Sequence, residues 1–224
     1  MRNLFILVSA ALFFIPLASA DFKTGGVIFN STSEEDQTIA LGIRPEGHMG
    51  APWPHNVAVN ASTTGIAYKF DGSATQGGIT GWRDATTPGC LCEGWGAGGL
   101  DADGNQFSGR ADEAKGGVNN LEVKSFVTEE TSLVSTVWID DSDEGPTLEV
   151  IHRFGPAAKV PGVLFQALVT ITNIGGSTVQ DVRYNRTMDW DIPPTEFSER
   201  VSIIGATASA ASPERPKVLY SGNQ

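Results

Sequence analysis

Alternation of apolar and polar residues over the middle of the chain limits what this polypeptide can fold into. Residues 148–154 read Leu-Glu-Val-Ile-His-Arg-Phe, which puts Leu148, Val150, His152 and Phe154 on one face and Glu149 and Arg153 on the other. Over 164–173, Phe165, Ala167, Val169 and Ile171 share a side opposite Gln166, Thr170 and Thr172. A period of two belongs to a strand with one face in a core, whereas a helix needs apolar residues three and four apart. Gly155-Pro156, Pro161-Gly162 and the run Asn173-Ile174-Gly175-Gly176-Ser177 supply turns at the spacing of an antiparallel meander.

The same character recurs along the chain. Segments 38–43, 65–70, 121–127, 133–139 and 179–184 are short and rich in Val, Ile, Thr and aromatic residues, with turn formers at their ends. No stretch of ten residues carries a helical stripe; the Ala-rich run at 205–211 lacks a polar face and ends in Ser212-Pro213. The expected fold is all-β, an antiparallel β-sandwich that buries one side of each strand. Between 86 and 120 the pattern lapses, with nine glycines from Gly89 to Gly117, and this segment reads as a long glycine-rich loop.

The first 20 residues read as a signal peptide. Arg2 gives a positive start, 4–17 is apolar, and Ala18-Ser19-Ala20 is a small-residue cleavage site before Asp21. The apolar run is shorter than the roughly 20 residues a membrane span needs, and Pro16 interrupts it. No later stretch is long enough to span a bilayer, so one domain over 21–224 is expected in an exported chain, secreted or at the cell surface. The sequence stops inside a strand-and-turn pattern, which reads as a C-terminal truncation and leaves anchoring open. A net charge of -11 with no basic cluster argues against nucleic acid as a partner.

Cys90 and Cys92 are the two cysteines, and an exported chain makes their disulfide the first expectation. Free or partner-linked thiols are the alternative, as is a metal site recruiting His48, His55 or His152. His152 itself reads as a hydrogen-bonded core histidine, with a ligand or catalytic role as the competing reading. The run Asp101-Ala102-Asp103-Gly104-Asn105 begins like a calcium loop, but Gln106 stands where the sharp turn needs glycine and Asp112 where a bidentate Glu is expected, so an Asp-Gly turn is preferred. The acidic run 140–146 is read as a hairpin loop, with calcium the alternative. No cofactor other than such a calcium ion is expected.

The densest polar and aromatic cluster spans 184–197. Arg186, Asp189, Trp190 and Asp191, with Trp95 as a further member, form a candidate ligand-binding set: an indole for stacking and carboxylates for sugar hydroxyls. Continued alternation would put Asp189 and Asp191 on one strand face, a spacing compatible with the acid and base of a glycosidase. An ion-paired strand corner is the plainer reading, and no catalytic residue is assigned. The motifs H-E-x-x-H, G-x-S-x-G and the Walker loop are absent. Glycosylation sequons begin at Asn30, Asn60 and Asn185.

Residues 88–96 (PGCLCEGWG) and 184–197 (YNRTMDWDIPPTEF) resemble segments of exported bacterial proteins, some of which carry a C-terminal PEP-CTERM sorting anchor. Residues 168–184 (LVTITNIGGSTVQDVRY) are similar to the strand-turn-strand pattern of Ig-like modules between adhesin repeats. These resemblances imply a cell-surface or secreted β-sandwich and bring no catalytic residues to carry over. The expected function is a non-enzymatic surface or extracellular-matrix module, its partners an extracellular glycan or other surface proteins. The alternative is a carbohydrate-binding or carbohydrate-processing domain.

Overall fold

The computed structural model describes residues 24–52, 63–113, 117–141 and 145–198. The expected signal peptide, His55, the Asn60 sequon, the centre of the acidic loop and the Ala-rich C-terminal run lie outside the described residues. Among the described residues fourteen strands follow in chain order: β1 Gly26–Phe29, β2 Ile39–Ile43, β3 Ala51–Pro52, β4 Thr63–Thr64, β5 Ile66–Asp71, β6 Thr80–Asp84 and β7 Glu93–Leu100. After these come β8 Gln106–Asp112, β9 Val118–Asn119, β10 Glu122–Thr128, β11 Leu133–Asp141, β12 Gly145–Pro156, β13 Phe165–Asn173 and β14 Gln180–Met188. Among the described residues the helical segments are two three-residue 3₁₀ turns. The fold is all-β.

Three four-stranded antiparallel sheets form, in the orders β1-β2-β5-β6, β10-β11-β12-β13 and β14-β7-β8-β9, and β3 pairs with β4. The second sheet is a meander, and the alternation over 148–154 is realised in it: Leu148, Val150, His152 and Phe154 are all buried. That inner face meets the third sheet in a sandwich-like arrangement. Trp95, Ala97 and Ala111 pack there against Val137, Ile139, Leu148 and Val150. The first sheet closes one end, where Ile28, Leu41 and Ile43 join Met49, Leu91, Phe126, Leu133 and Phe154. All five residues of β2 are buried, so its alternate side chains feed two cores.

Two expectations are corrected. The meander does not run through to β14: after β13 the chain crosses to the other sheet, and β14 pairs with β7, Met188 opposite Glu93 and Arg183 opposite Gly98. The glycine-rich segment is not a long loop either. Most of it is the hairpin β7–β8, and the Asp101 run is its turn, with the Asp101 carboxylate accepting the backbone N–H groups of Asp103 and Asn105.

The strands form despite the glycines because the remaining residues still alternate. Trp95 and Ala97 face the core from β7, and Phe107 and Ala111 from β8. Glycines 94, 96 and 98 occupy the opposite face of β7. At two of these positions a side chain is excluded by the neighbouring strand. A Cβ on Gly94 would lie 2.6 Å from that of Asp112, and one on Gly98 would run into the Phe107 carbonyl oxygen. At Gly96 the nearest atoms are Gly109 O at 3.4 Å and Arg110 Cβ at 3.6 Å, close to ordinary contact. Gly98→Val should therefore cost roughly 2–4 kcal/mol in denaturant unfolding, because backbone must move. Gly96→Val should stay within about 1 kcal/mol of the native chain, since a branched residue suits a strand. Equal losses at the two positions would contradict this account.

Candidate functional site: a glycine-floored groove and the polar network behind it

The exposed face of the third sheet is a trough of about 890 Å³. Its floor is the backbone of β7, half-buried at Gly96 and covered at Gly94 and Gly98 by atoms of β8, which bury both glycines. Register sets the walls: Thr187, Asn185 and Arg183 of β14 stand opposite these glycines on one side, and Asp112, Arg110 and Ser108 of β8 on the other. Two strand spacings make the trough about 10 Å across, and the three glycines span about 13 Å along it. The walls are hydroxyls, amides and charges of both signs, and Arg183 Nη2 is ion-paired to Asp181 Oδ2 at 2.6 Å. The aromatic residues of these strands, Trp95, Phe107 and Tyr184, alternate to the core side of the sheet.

Directly behind the floor lies a buried polar network. Glu93, whose side chain is 0% exposed, holds Arg186 Nε at 2.7 Å through Oε1 and accepts the Met49 N–H at 2.6 Å through Oε2. Arg186 also donates from Nη1 to Gly47 O at 3.1 Å, and its guanidinium lies over the Phe154 ring. His152 Nε2 is 3.1 Å from the Tyr184 hydroxyl, and its ring meets the Trp95 indole edge to face. Trp95 Nε1 donates to Glu46 O and Ser135 Oγ to Pro45 O. The main chain of residues 45–49 is thus gripped by side chains from β7, β11 and β14.

Gly47 is required in that segment on two grounds. Its φ is +86°, where a side chain is strained, and a Cβ would stand 2.8 Å from His152 Nδ1. Farther out, His48 is 3% exposed, with Nε2 at 3.4 Å from Glu113, which also pairs with Arg44. Burial lowers the His48 pKa against the pull of Glu46 and Glu113. Burial lowers that of His152 to about 3, with Arg186 adding to the effect, and it raises that of Glu93 against the opposing field of Arg186.

The residues expected to form one ligand site are separated. Trp95 is 3% exposed with its N–H committed to Glu46 O, and Arg186 is turned inward to Glu93, so neither offers a surface to a sugar. β14 ends at Met188, and the alternation that would have put Asp189 and Asp191 on one strand face ends with it. Asp189 lies beside the Cys90 and Cys92 sulfurs, while Asp191 is buried with its N–H on Ala85 O. Trp190 is half-buried in the same irregular segment. Cys90 and Cys92 are joined in a disulfide. Of the sequons, the Asn30 side chain accepts the Thr38 and Ile39 N–H groups, and Asn185 is exposed on the groove wall.

Glu93, Gly47 and the groove itself were not anticipated. The signal for Glu93 is its place two residues before Trp95 and four before Ala97: once β7 is accepted as a strand, Glu93 must face the core. Breaking the pair by Glu93→Gln leaves a buried guanidinium uncompensated, and a loss of about 3–5 kcal/mol is expected, much of it regained in Glu93→Gln/Arg186→Met. Additive losses in that double-mutant cycle would refute the coupling. His152 stays neutral in the fold down to about pH 3, while the unfolded chain protonates it below its ordinary value near 6.5. Its contribution to stability is therefore complete above that value and is lost as pH falls toward 3. His152→Gln should narrow the stability difference between pH 7 and pH 4 by about 3 kcal/mol, and an unchanged pH dependence would contradict the assignment. No protein-family model, curated protein or solved structure matches the chain.

Proposed function

We propose that this protein is an exported, non-enzymatic surface or extracellular-matrix module that holds a neutral, hydroxyl-rich polymer, a glycan strand, along the β7 groove. The groove's shape and lining carry the reading: a channel about 10 Å wide, reaching the β7 backbone at Gly96 and bounded by Arg183, Asn185 and Thr187 on one side and Ser108, Arg110 and Asp112 on the other. Such walls both donate and accept, as sugar hydroxyls require, and charges of both signs leave little preference for a polyanion or polycation. With the aromatic rings turned to the core, contact rests on hydrogen bonds rather than stacking. A single site would then bind weakly and gain strength by repetition along a polymer. Export is supported by the leader-like residues 1–20 and by a disulfide between the only two cysteines.

A binding role is favoured over hydrolysis because Asp189 and Asp191, the carboxylates considered as an acid and base, have different surroundings. One lies beside a disulfide and the other is buried. Gly96→Val separates the reading from its competitors. The substitution raises the floor beneath a ligand at the one glycine where the fold has room. Glycan-array binding by the native protein should fall at least tenfold in Gly96→Val and persist in Trp190→Ala. Absence of glycan binding, or binding indifferent to Gly96→Val, would overturn the assignment, and turnover of the bound glycan would overturn its non-enzymatic part.

A further inference from the structure

A second constellation lies away from the groove, where the segment after β6 meets the segment after β14. The Asp84 carboxylate accepts the N–H groups of Gly65, Thr86 and Thr87 and so fixes how the chain leaves β6. Leu91 is 7% exposed and packs into the core at the end of the first sheet, between two cysteines that lie nearer the surface. Cys92 N–H donates to Cys90 O at 2.9 Å, and Asp189 N–H donates to Cys92 O at 3.2 Å. Ligand atoms of Cys90, Cys92 and Asp189 lie within 4.8 Å of one another, with Cys90 exposed and the other two half-buried. One Asp189 oxygen accepts the Trp190 N–H; among the described residues the other accepts no hydrogen bond.

We infer that Cys90, Cys92 and Asp189 form a redox-gated site for a thiophilic divalent cation such as zinc, closed by the disulfide and opened by its reduction. The backbone hydrogen bonds and the buried Leu91 hold the three residues together without help from the S–S bond, so the arrangement outlasts that bond. A dithiol reductant reaches the exposed Cys90. Its thiolate attacks one sulfur, the Cys90–Cys92 bond breaks, and its second thiol resolves the mixed disulfide. Two electrons and two protons pass to the chain, which gains two thiols, and the reductant leaves as a cyclic disulfide. Metal binding then releases the two thiol protons, and the cation takes two thiolates and one carboxylate, with water as a fourth ligand.

The distances suit that set. Tetrahedral zinc, with bonds of about 2.3 Å to sulfur and about 2.0 Å to oxygen, needs donors roughly 3.3–3.8 Å apart, which side-chain rotation supplies here. Three anionic donors converge, while Arg186, the nearby basic residue in sequence, is committed to Glu93 on the core side of β14. Both histidines among the described residues are engaged elsewhere, His152 Nε2 at Tyr184 and His48 Nε2 at Glu113. Thiolates select zinc-like ions over calcium or magnesium, which prefer all-oxygen sites.

Cobalt(II) is the probe, because thiolate ligation gives a near-ultraviolet charge-transfer band that carboxylate ligation alone does not. The purified full-length protein, reduced with a dithiol and freed of excess reductant under anaerobic conditions, should develop this band at about one cobalt per chain and lose it to added zinc. The oxidised protein should show no band, and Cys90→Ser and Cys92→Ser should each remove it. Asp189→Asn should keep the thiolate band while weakening affinity at least tenfold. Three results would each overturn the inference: no band after reduction, loss of far-ultraviolet circular dichroism on reduction, or unchanged affinity in Asp189→Asn. Equal metal uptake by the oxidised protein would show adventitious binding to surface carboxylates and overturn it as well.

Discussion

Burying a carboxylate is tolerable only when positive charge and N–H donors are fixed around it, and Glu93 imposes that condition where the three sheets meet. Its charge is answered by Arg186 from the next strand and by the Met49 N–H from the segment after β2. The guanidinium in turn reaches Gly47 O, while Trp95 and Ser135 hold Glu46 O and Pro45 O. Most of these contacts satisfy main-chain groups of a short irregular segment, which could not otherwise be withdrawn from water without a penalty at each unpaired group. The ion pair thus adds little net stability over a well-packed apolar pair, but it fixes which loop can dock there and in what position. The groove inherits that rigidity, because β7 and β14 carry the network on one face and the groove on the other.

β7 answers two demands that normally conflict. A central strand ordinarily draws its stability from side chains packed on both faces, yet this one has only glycines on its outer face from Gly94 to Gly98. The inner face compensates through Trp95, whose indole packs among Val137, Ile139, Leu148 and Val150 and also donates a hydrogen bond. Close approach of β8 is the second contribution, since Gly94 and Gly98 allow side-chain and backbone atoms of the neighbouring strand to occupy space that a Cβ would fill. The flat floor is thus partly a packing solution. Only Gly96 is spared that constraint, which makes it the position where shape for a ligand and shape for the fold can be told apart.

Sequence reading succeeded where side-chain chemistry is repetitive and failed where one residue type has two meanings. Residues 148–154 alternate large apolar with polar groups, so their strand and inward face could be read directly, His152 included. Over 164–173 the strand and the inward Phe165, Val169 and Ile171 were legible, while Ala167 is exposed and Leu168 places an apolar side chain on the outer face. The segment 93–112 alternates as well, through Trp95, Ala97, Phe107 and Ala111, but its intervening glycines are also the commonest loop residues, and the turn-forming meaning prevailed. Asp189 and Asp191 exposed the opposite weakness. Alternation was carried past Met188 although the strand ended there, and a single lost hydrogen-bonding partner is invisible in composition. Arg186, grouped with those acids by proximity in sequence, is bound instead to a glutamate far back in the chain. Partnerships across sheets depend on register, which local sequence does not encode.

The placement of β14 also bears on how the molecule comes into being. Its partner β7 precedes it by about ninety residues, and the whole meander is laid down between them. During vectorial synthesis, β7 must wait with one edge unpaired and Glu93 without its arginine until the last described strand arrives. The meander can assemble from neighbouring hairpins well before that. Any factor that shields exposed strand edges during synthesis would therefore act on the glycine strand in particular, and the groove would be the last part of the described fold to mature.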